Sequence, residues 1–207
     1  MKTIFTVLKT GGEYEPTHVR WLHRQCQIHA PNAEFVCLTD VSGGVSGVRC
    51  EPLIREWSGW WSKIELFRFK DVFYLDLDTV MLNNIQYMLN LPDFYALQNV
   101  AGHKLKGRVS MGSGIMSWYG KYEGVYTNFD YSLIRKYSKR QNLWGDQGYI
   151  QEIIPGWKSL QNAFPGRIHS YKFSGIDVEN PKSDIVVFSG NPRPWKVSHS
   201  WVPPISS

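Results

Sequence analysis

The chain has 207 residues and a formal charge of +5, a length that fits one domain with a real hydrophobic core. No run is long and apolar enough for a membrane span, and MKTIFTVLKTGG is too short and lacks the cleavage site of a signal peptide. Cys26, Cys37 and Cys50 form no CxxC pair, which argues against a cysteine-based zinc site and reads as reduced thiols in a cytoplasmic setting.

The run TIFTVL reads as a first strand, followed by the loop KTGGEY. Pro16 opens a helix through THVRWLHRQCQIHA, in which Val19, Leu22 and Cys26 share one face. EFVCLTD is a second strand and VSGGVSGV a glycine-rich loop. Ser62 and Glu65 have capping-box spacing, so a helix is expected to start there in SKIELFRF. DVFYLDLD follows as a strand, then DFYALQ and GIMSW. YTNFDYSLIRKY and GDQGYIQEII read as helices, DIVVFSG as a late strand, and PRPWKVSHSWVPP as irregular tail. Strands alternating with helices predict an α/β fold with a mixed, mostly parallel central sheet. There is no internal repeat, and residues 1–207 read as a single domain.

The stretch FYLDLDTVML places two carboxylates inside an apolar, strand-like run. Burying a carboxylate is costly unless something compensates its charge. Residues two apart on a strand face the same way, so Asp76 and Asp78 are expected to converge. In an open α/β sheet the ligand crevice lies at the carboxyl ends of the strands. Two carboxylates there suit Mg²⁺ or Mn²⁺; the plainer reading is two acidic residues in a turn. The mild positive charge suits an anionic ligand, or is simply that of a basic cytosolic protein.

FYLDLDTVML resembles the DxD segment of GT-A glycosyltransferases of the family 8 type, which includes glycogenin and bacterial galactosyltransferases. Four further stretches are similar to that family in the same order: FTVLKTGGEY, SKIELFRF, WGDQGYI and FSGNPRPW. The resemblance implies a GT-A, Rossmann-like fold, a UDP-sugar donor and a divalent metal held by Asp76 and Asp78, with Leu77 between them at the nucleotide. Lys9 and Thr10 would touch base or ribose, and Tyr14 would stack on uracil or pack on the core. Lys63 would position the donor phosphates and sugar, or be solvated. Arg193 stands where the family has a lysine on the diphosphate; otherwise it is a surface cation. Ser113 and Gly114 would line the donor sugar. Asp146 would bind sugar hydroxyls, or cap a helix, and Gln147 would face the anomeric carbon opposite the leaving group. The family histidine of the metal site has no counterpart at Val187, Phe188 or Ser189. His199 is the substitute in sequence, unless Ser189 or water fills the place; lone histidines are more often structural. Gly112 stands where the family has asparagine. His18, His23 and His29 lie on one helix with no chemical role expected.

The implied reaction is hexosyl transfer from a UDP-sugar to a hydroxyl with retention. Gln147 is a poor nucleophile, which favours front-face attack over double displacement. The acceptor is a glycan, a protein hydroxyl or a hydroxylated DNA base, and WSGWW at 57–61 is either an acceptor platform or core. Paired aspartates also suit a metal-dependent nucleotidyltransferase. A missing metal-site histidine suits a non-catalytic nucleic-acid or carbohydrate-binding module.

Overall fold

A computed structural model describes residues 2–99, 110–138, 144–173, 177 and 179–205. Strand β1 (Thr3–Leu8) leads through a glycine-containing loop to helix α1 (Pro16–His29). Pro16 sits in the first turn of α1, where its missing N–H costs nothing. His18 accepts the Glu15 N–H through Nδ1 at 2.8 Å, so this histidine closes the helix start. Strands β2 (Phe35–Thr39) and β3 (Arg49–Pro52) follow, then a 3₁₀ helix at Gly59–Arg68. Next come β4 (Asp71–Leu75), β5 (Thr79–Met81), a 3₁₀ turn at Gln86–Asn90, β6 (Tyr95–Gln98) and β7 (Met111–Tyr119). Helices α2 (Gly124–Thr127), α3 (Tyr131–Ser138) and α4 (Gly145–Ile153) precede β8 (Lys158–Ser159) and α5 (Leu160–Ala163). The chain ends with β9 (Ile168–Ser170), β10 (Ile185–Val187) and a 3₁₀ turn at Pro194–Lys196.

The seven-stranded sheet has the order β3-β2-β1-β4-β7-β6-β8. β1 pairs in parallel with β2 and β4, β2 with β3, and β6 with β8. β7 runs against both β4 and β6. The mixed, mostly parallel sheet is the one expected. A smaller sheet, β5-β10-β9, stands apart from it.

Alternation along the strands builds a core on each face. Ile4, Leu8, Phe73 and Leu75 join the cluster that holds Val19 and Leu22 of α1 and the small sheet's Val80 and Val186. Phe5, Val7, Val72 and Tyr74 face the other cluster, with Ile64 and Phe67 of the 3₁₀ helix and Tyr149 of α4.

Three local expectations need correction. The 3₁₀ helix begins at Gly59, not at Ser62. Ser62 Oγ donates back to the Gly59 carbonyl at 2.7 Å, and the Glu65 carboxylate accepts the Ile54 and Arg55 N–H groups at 2.8 Å each, so neither forms a capping box. The segment YTNFDYSLIRKY is two helices, broken where Phe129 turns into the core and the Asp130 carboxylate accepts the Ser132 N–H. The third concerns the aspartates.

Candidate active site

Strand β4 does not run through Asp78. Its ladder with β7 ends at the Leu75–Ile115 pair. The Asp76 N–H still reaches the Gly114 carbonyl at 2.9 Å, and the Asp76 carbonyl then accepts the Thr79 N–H at 3.1 Å. The aspartates thus occupy a turn, the corner at which the chain leaves the large sheet for the small one. Leu77 anchors that corner, its side chain buried in the α1-side core. The carboxylates converge because the corner opens onto a cavity of about 740 Å³, which both line.

Each carboxylate meets its own cation. Lys63 Nζ lies 2.8 Å from Asp76 Oδ1, 3.5 Å from Ser113 Oγ and 3.8 Å from Asp146 Oδ2. Its side chain is mostly shielded from solvent. Burial works against the ammonium, but Asp76 and Asp146 outweigh it and hold the Lys63 pKa above lysine's ordinary value. Asp76 also accepts a hydrogen bond from the Tyr74 hydroxyl. Asp78 receives Arg193 Nη1 and, at 3.0 Å, the Tyr14 hydroxyl. Arg193 is no surface cation: its other arm holds Glu13 of the β1–α1 loop, and its Nε is buried with no hydrogen-bond partner among the described residues.

The Arg193 guanidinium lies over the Tyr14 ring, 5.1 Å from its centroid, and Trp195 and His18 pack against that ring edge-on. Tyr14 therefore packs beneath Arg193 and orients Asp78 while also lining the cavity. Lys9 and Thr10 line the cavity and are fixed by Asp40, which follows β2. Asp40 takes Lys9 Nζ at 2.6 Å, the Thr10 N–H at 2.8 Å and the Thr10 hydroxyl at 2.8 Å.

Ser113 stands on β7 facing the cavity, and Asp146 and Gln147 stand in the first turn of α4. Asp146 is buried, and its Oδ2 has no hydrogen-bond partner among the described residues. Burial pushes its pKa up despite Lys63. Gly114 packs closely: a Cβ there would come 3.3 Å from Asp76 Oδ2 and 3.4 Å from Leu97 Cδ1.

The structure does not bring His199 to the aspartates. Its Nε2 is 2.9 Å from the Tyr171 hydroxyl and its ring stacks on Trp201 at 5.4 Å, within an aromatic cluster of the C-terminal segment. The expected third metal ligand is thus engaged by Tyr171 and is not among the described residues that line the cavity of the aspartates. Among the described residues no group of three His, Cys, Asp or Glu side chains gathers to hold a metal ion.

Asp76 and Asp78 nevertheless fit Mg²⁺ or Mn²⁺. Burial and the neighbouring Asp76 charge raise the Asp78 pKa to about 7, a crowding of negative charge that a divalent cation relieves. Mg²⁺ in particular binds through one or two carboxylates, with phosphate oxygens and water completing its octahedron.

Glu13, Asp40 and Tyr74 are site residues not singled out in the sequence. Asp40 alone had a signal, as the acidic residue just after a central strand. Glu13 and Tyr74 are recognisable only through their partners.

No protein-family model matches the chain, and no curated protein matches it in sequence. Solved structures do match. The galactosyltransferase LgtC, in complex with donor and acceptor sugar analogues, aligns with TM-score 0.64 and 13% identity over 93% of this chain and 89% of its own. The glycosyltransferase GlyE of Streptococcus pneumoniae aligns with TM-score 0.67 and 13% identity over 96% of this chain and 58% of its own. The bifunctional glycosyltransferase WbbM aligns with TM-score 0.58 and 12% identity over 94% of this chain and 46% of its own. This chain therefore spans little more than half of GlyE and less than half of WbbM. At such identities the likeness is one of fold, and the fold is that of the GT-A glycosyltransferases.

Proposed function

We propose that this chain is one GT-A domain that transfers a hexosyl unit from a UDP-sugar to a hydroxyl acceptor, with retention and with a divalent metal. The observation that carries this reading is the convergence of Asp76, Asp78, Asp146, Lys63 and Arg193 on one cavity at the carboxyl end of β4. That is a site built for a charged, polyhydroxylated ligand, and it occurs on a glycosyltransferase fold.

Lys9 and Thr10, held by Asp40, face the base and ribose. Arg193 offers its guanidinium to the diphosphate, and Lys63 sits between diphosphate and sugar. Ser113 and Asp146 take sugar hydroxyls, which supplies the partner that Asp146 Oδ2 lacks. Asp76 and Asp78 hold Mg²⁺ or Mn²⁺, which when bound neutralises charge on the departing diphosphate. Gln147 faces the anomeric carbon, and as an amide it supplies no covalent nucleophile. The acceptor oxygen therefore attacks on the leaving-group side. The bond from the anomeric carbon to the phosphate oxygen breaks, the bond to the acceptor oxygen forms, and the acceptor's proton passes to that phosphate oxygen. Among the described residues no helix is long and apolar enough to cross a membrane. The cysteines are unpaired, and we place the protein in the cytoplasm.

The test is thermal. UDP and Mn²⁺ together should raise the melting temperature by more than the sum of their separate shifts, because carboxylates and diphosphate share the ion. UDP should then be released from a UDP-hexose. Additive shifts, or no UDP release from any UDP-hexose, would count against the reading.

A further inference from the structure

The segment WSGWW divides in the structure. Trp57 and Trp61 are core, each 3% exposed and packed on Phe129. Trp60 is 45% exposed and lies against Trp144, itself 50% exposed, with ring centroids 5.0 Å apart and planes inclined by 50°. Both indoles line the cavity that holds the aspartates. We propose that Trp60 and Trp144 form the acceptor subsite and that its occupant is a neutral sugar ring. The proposal rests on the glycosyltransferase reading and adds the class of acceptor.

The pair is a built feature. In a 3₁₀ helix residues i and i+3 eclipse, so Trp60 stands directly beside Lys63. Trp144 is two residues before Asp146. Lys63 and Asp146 meet at 3.8 Å, so the two indoles rise from the elements that converge at the pocket floor. Between them, Gly145 has φ +69°, and a Cβ on it would come 3.3 Å from Trp60 Nε1. A side chain here would be strained by the left-handed φ and would press on the indole.

The surrounding chemistry selects the occupant. A pyranose offers an apolar C–H face to an aromatic ring and hydroxyls at its rim, and a few polar groups beside aromatic walls are the usual makeup of such a pocket. Glu56 and Ser58 line the same wall and can exchange hydrogen bonds with hydroxyls. A nucleic-acid strand would need a basic groove to track its phosphates. Among the described residues of this wall the cation is Lys63, already engaged by Asp76, and Glu56 adds negative charge.

The experiment is saturation-transfer NMR on the whole protein with methyl β-galactoside, methyl α-glucoside and lactose, with a single-stranded oligonucleotide for comparison. At least one sugar should show saturation of the C–H protons of one ring face. The signal should weaken about tenfold or more in Trp60→Ala/Trp144→Ala and in Trp60→Leu, which keeps apolar bulk without a ring. The UDP–Mn²⁺ thermal shift in those variants should match wild type, which also shows that they fold. No sugar signal in wild type, or one unchanged in the variants, overturns the proposal. So does a tryptophan-dependent signal from the oligonucleotide in place of the sugars. If the sugar signal depends on the tryptophans while UDP and Mn²⁺ fail to stabilise wild type, the subsite stands and the donor reading falls.

Discussion

At Asp78, burial and the Asp76 carboxylate both disfavour the anion, and the pKa rises from 3.8 to about 7. The folded protein then keeps a proton, between about pH 4 and pH 7, that the unfolded chain has released. The stability linked to that proton is full below the unfolded pKa and is lost as pH rises through the folded one. Asp78→Asn has no such titration. In metal-free buffer its melting temperature relative to wild type should therefore improve between about pH 5 and pH 8. A constant difference across that range would show that Asp78 is not crowded in this way. Lys63 stands in the opposite position. Its removal strands two carboxylates, one of them, Asp146, buried. Removing one partner of a buried ion pair costs about 3–5 kcal/mol, and Lys63→Met should approach that loss near pH 8 by urea denaturation. The loss should shrink near pH 5, because burial already raises the Asp146 pKa and the acid takes up a proton more readily than its charge can be buried.

Among the elements, α4 shows how one backbone position sets a wall of the site. Gly145 combines a left-handed φ with close approach to Trp60. A side chain in that conformation costs about 1–2 kcal/mol before any clash. Gly145→Ala should lower stability by at least about 1 kcal/mol and alter tryptophan fluorescence as the Trp60–Trp144 pair shifts; unchanged fluorescence would mean the pair does not depend on that approach. The elements were legible in the sequence where a local rule decides them. Pro16 and the Val19–Leu22–Cys26 stripe define α1, and apolar runs mark β1, β2 and β4. Legibility failed where the deciding partner is distant. The strand was expected to carry Asp76 and Asp78, yet the chain turns at Asp76 toward a pairing of β5 with β10 that no local pattern announces. Glu65 looked like a helix cap and serves instead the backbone at Ile54 and Arg55. Of the site, the residue types were readable but their use was not. Tyr14 turned out to hold Asp78, and His199 turned out to hold Tyr171.

For the molecule as a whole, the cavity lies where the two sheets meet. Asp78 links the corner between them to Arg193, just past β10, and Arg193 links that segment to Glu13 of the first loop. A ligand engaging Arg193 and the aspartates should therefore slow amide hydrogen exchange in β5 and β10 as well as in the loop after β1. Mass-spectrometric exchange with and without UDP and Mn²⁺ would measure this, and protection confined to the loop would mean that the small sheet does not respond. The same arrangement has a consequence for biosynthesis. All strands of the large sheet have been made by Ser159, whereas β5 must wait for β10, and Asp78 for an arginine 115 residues further along. On the ribosome Asp78 is therefore made well before the arginine that faces it. The contact that ties the corner to the segment after β10 thus closes only after Arg193 has emerged from the exit tunnel.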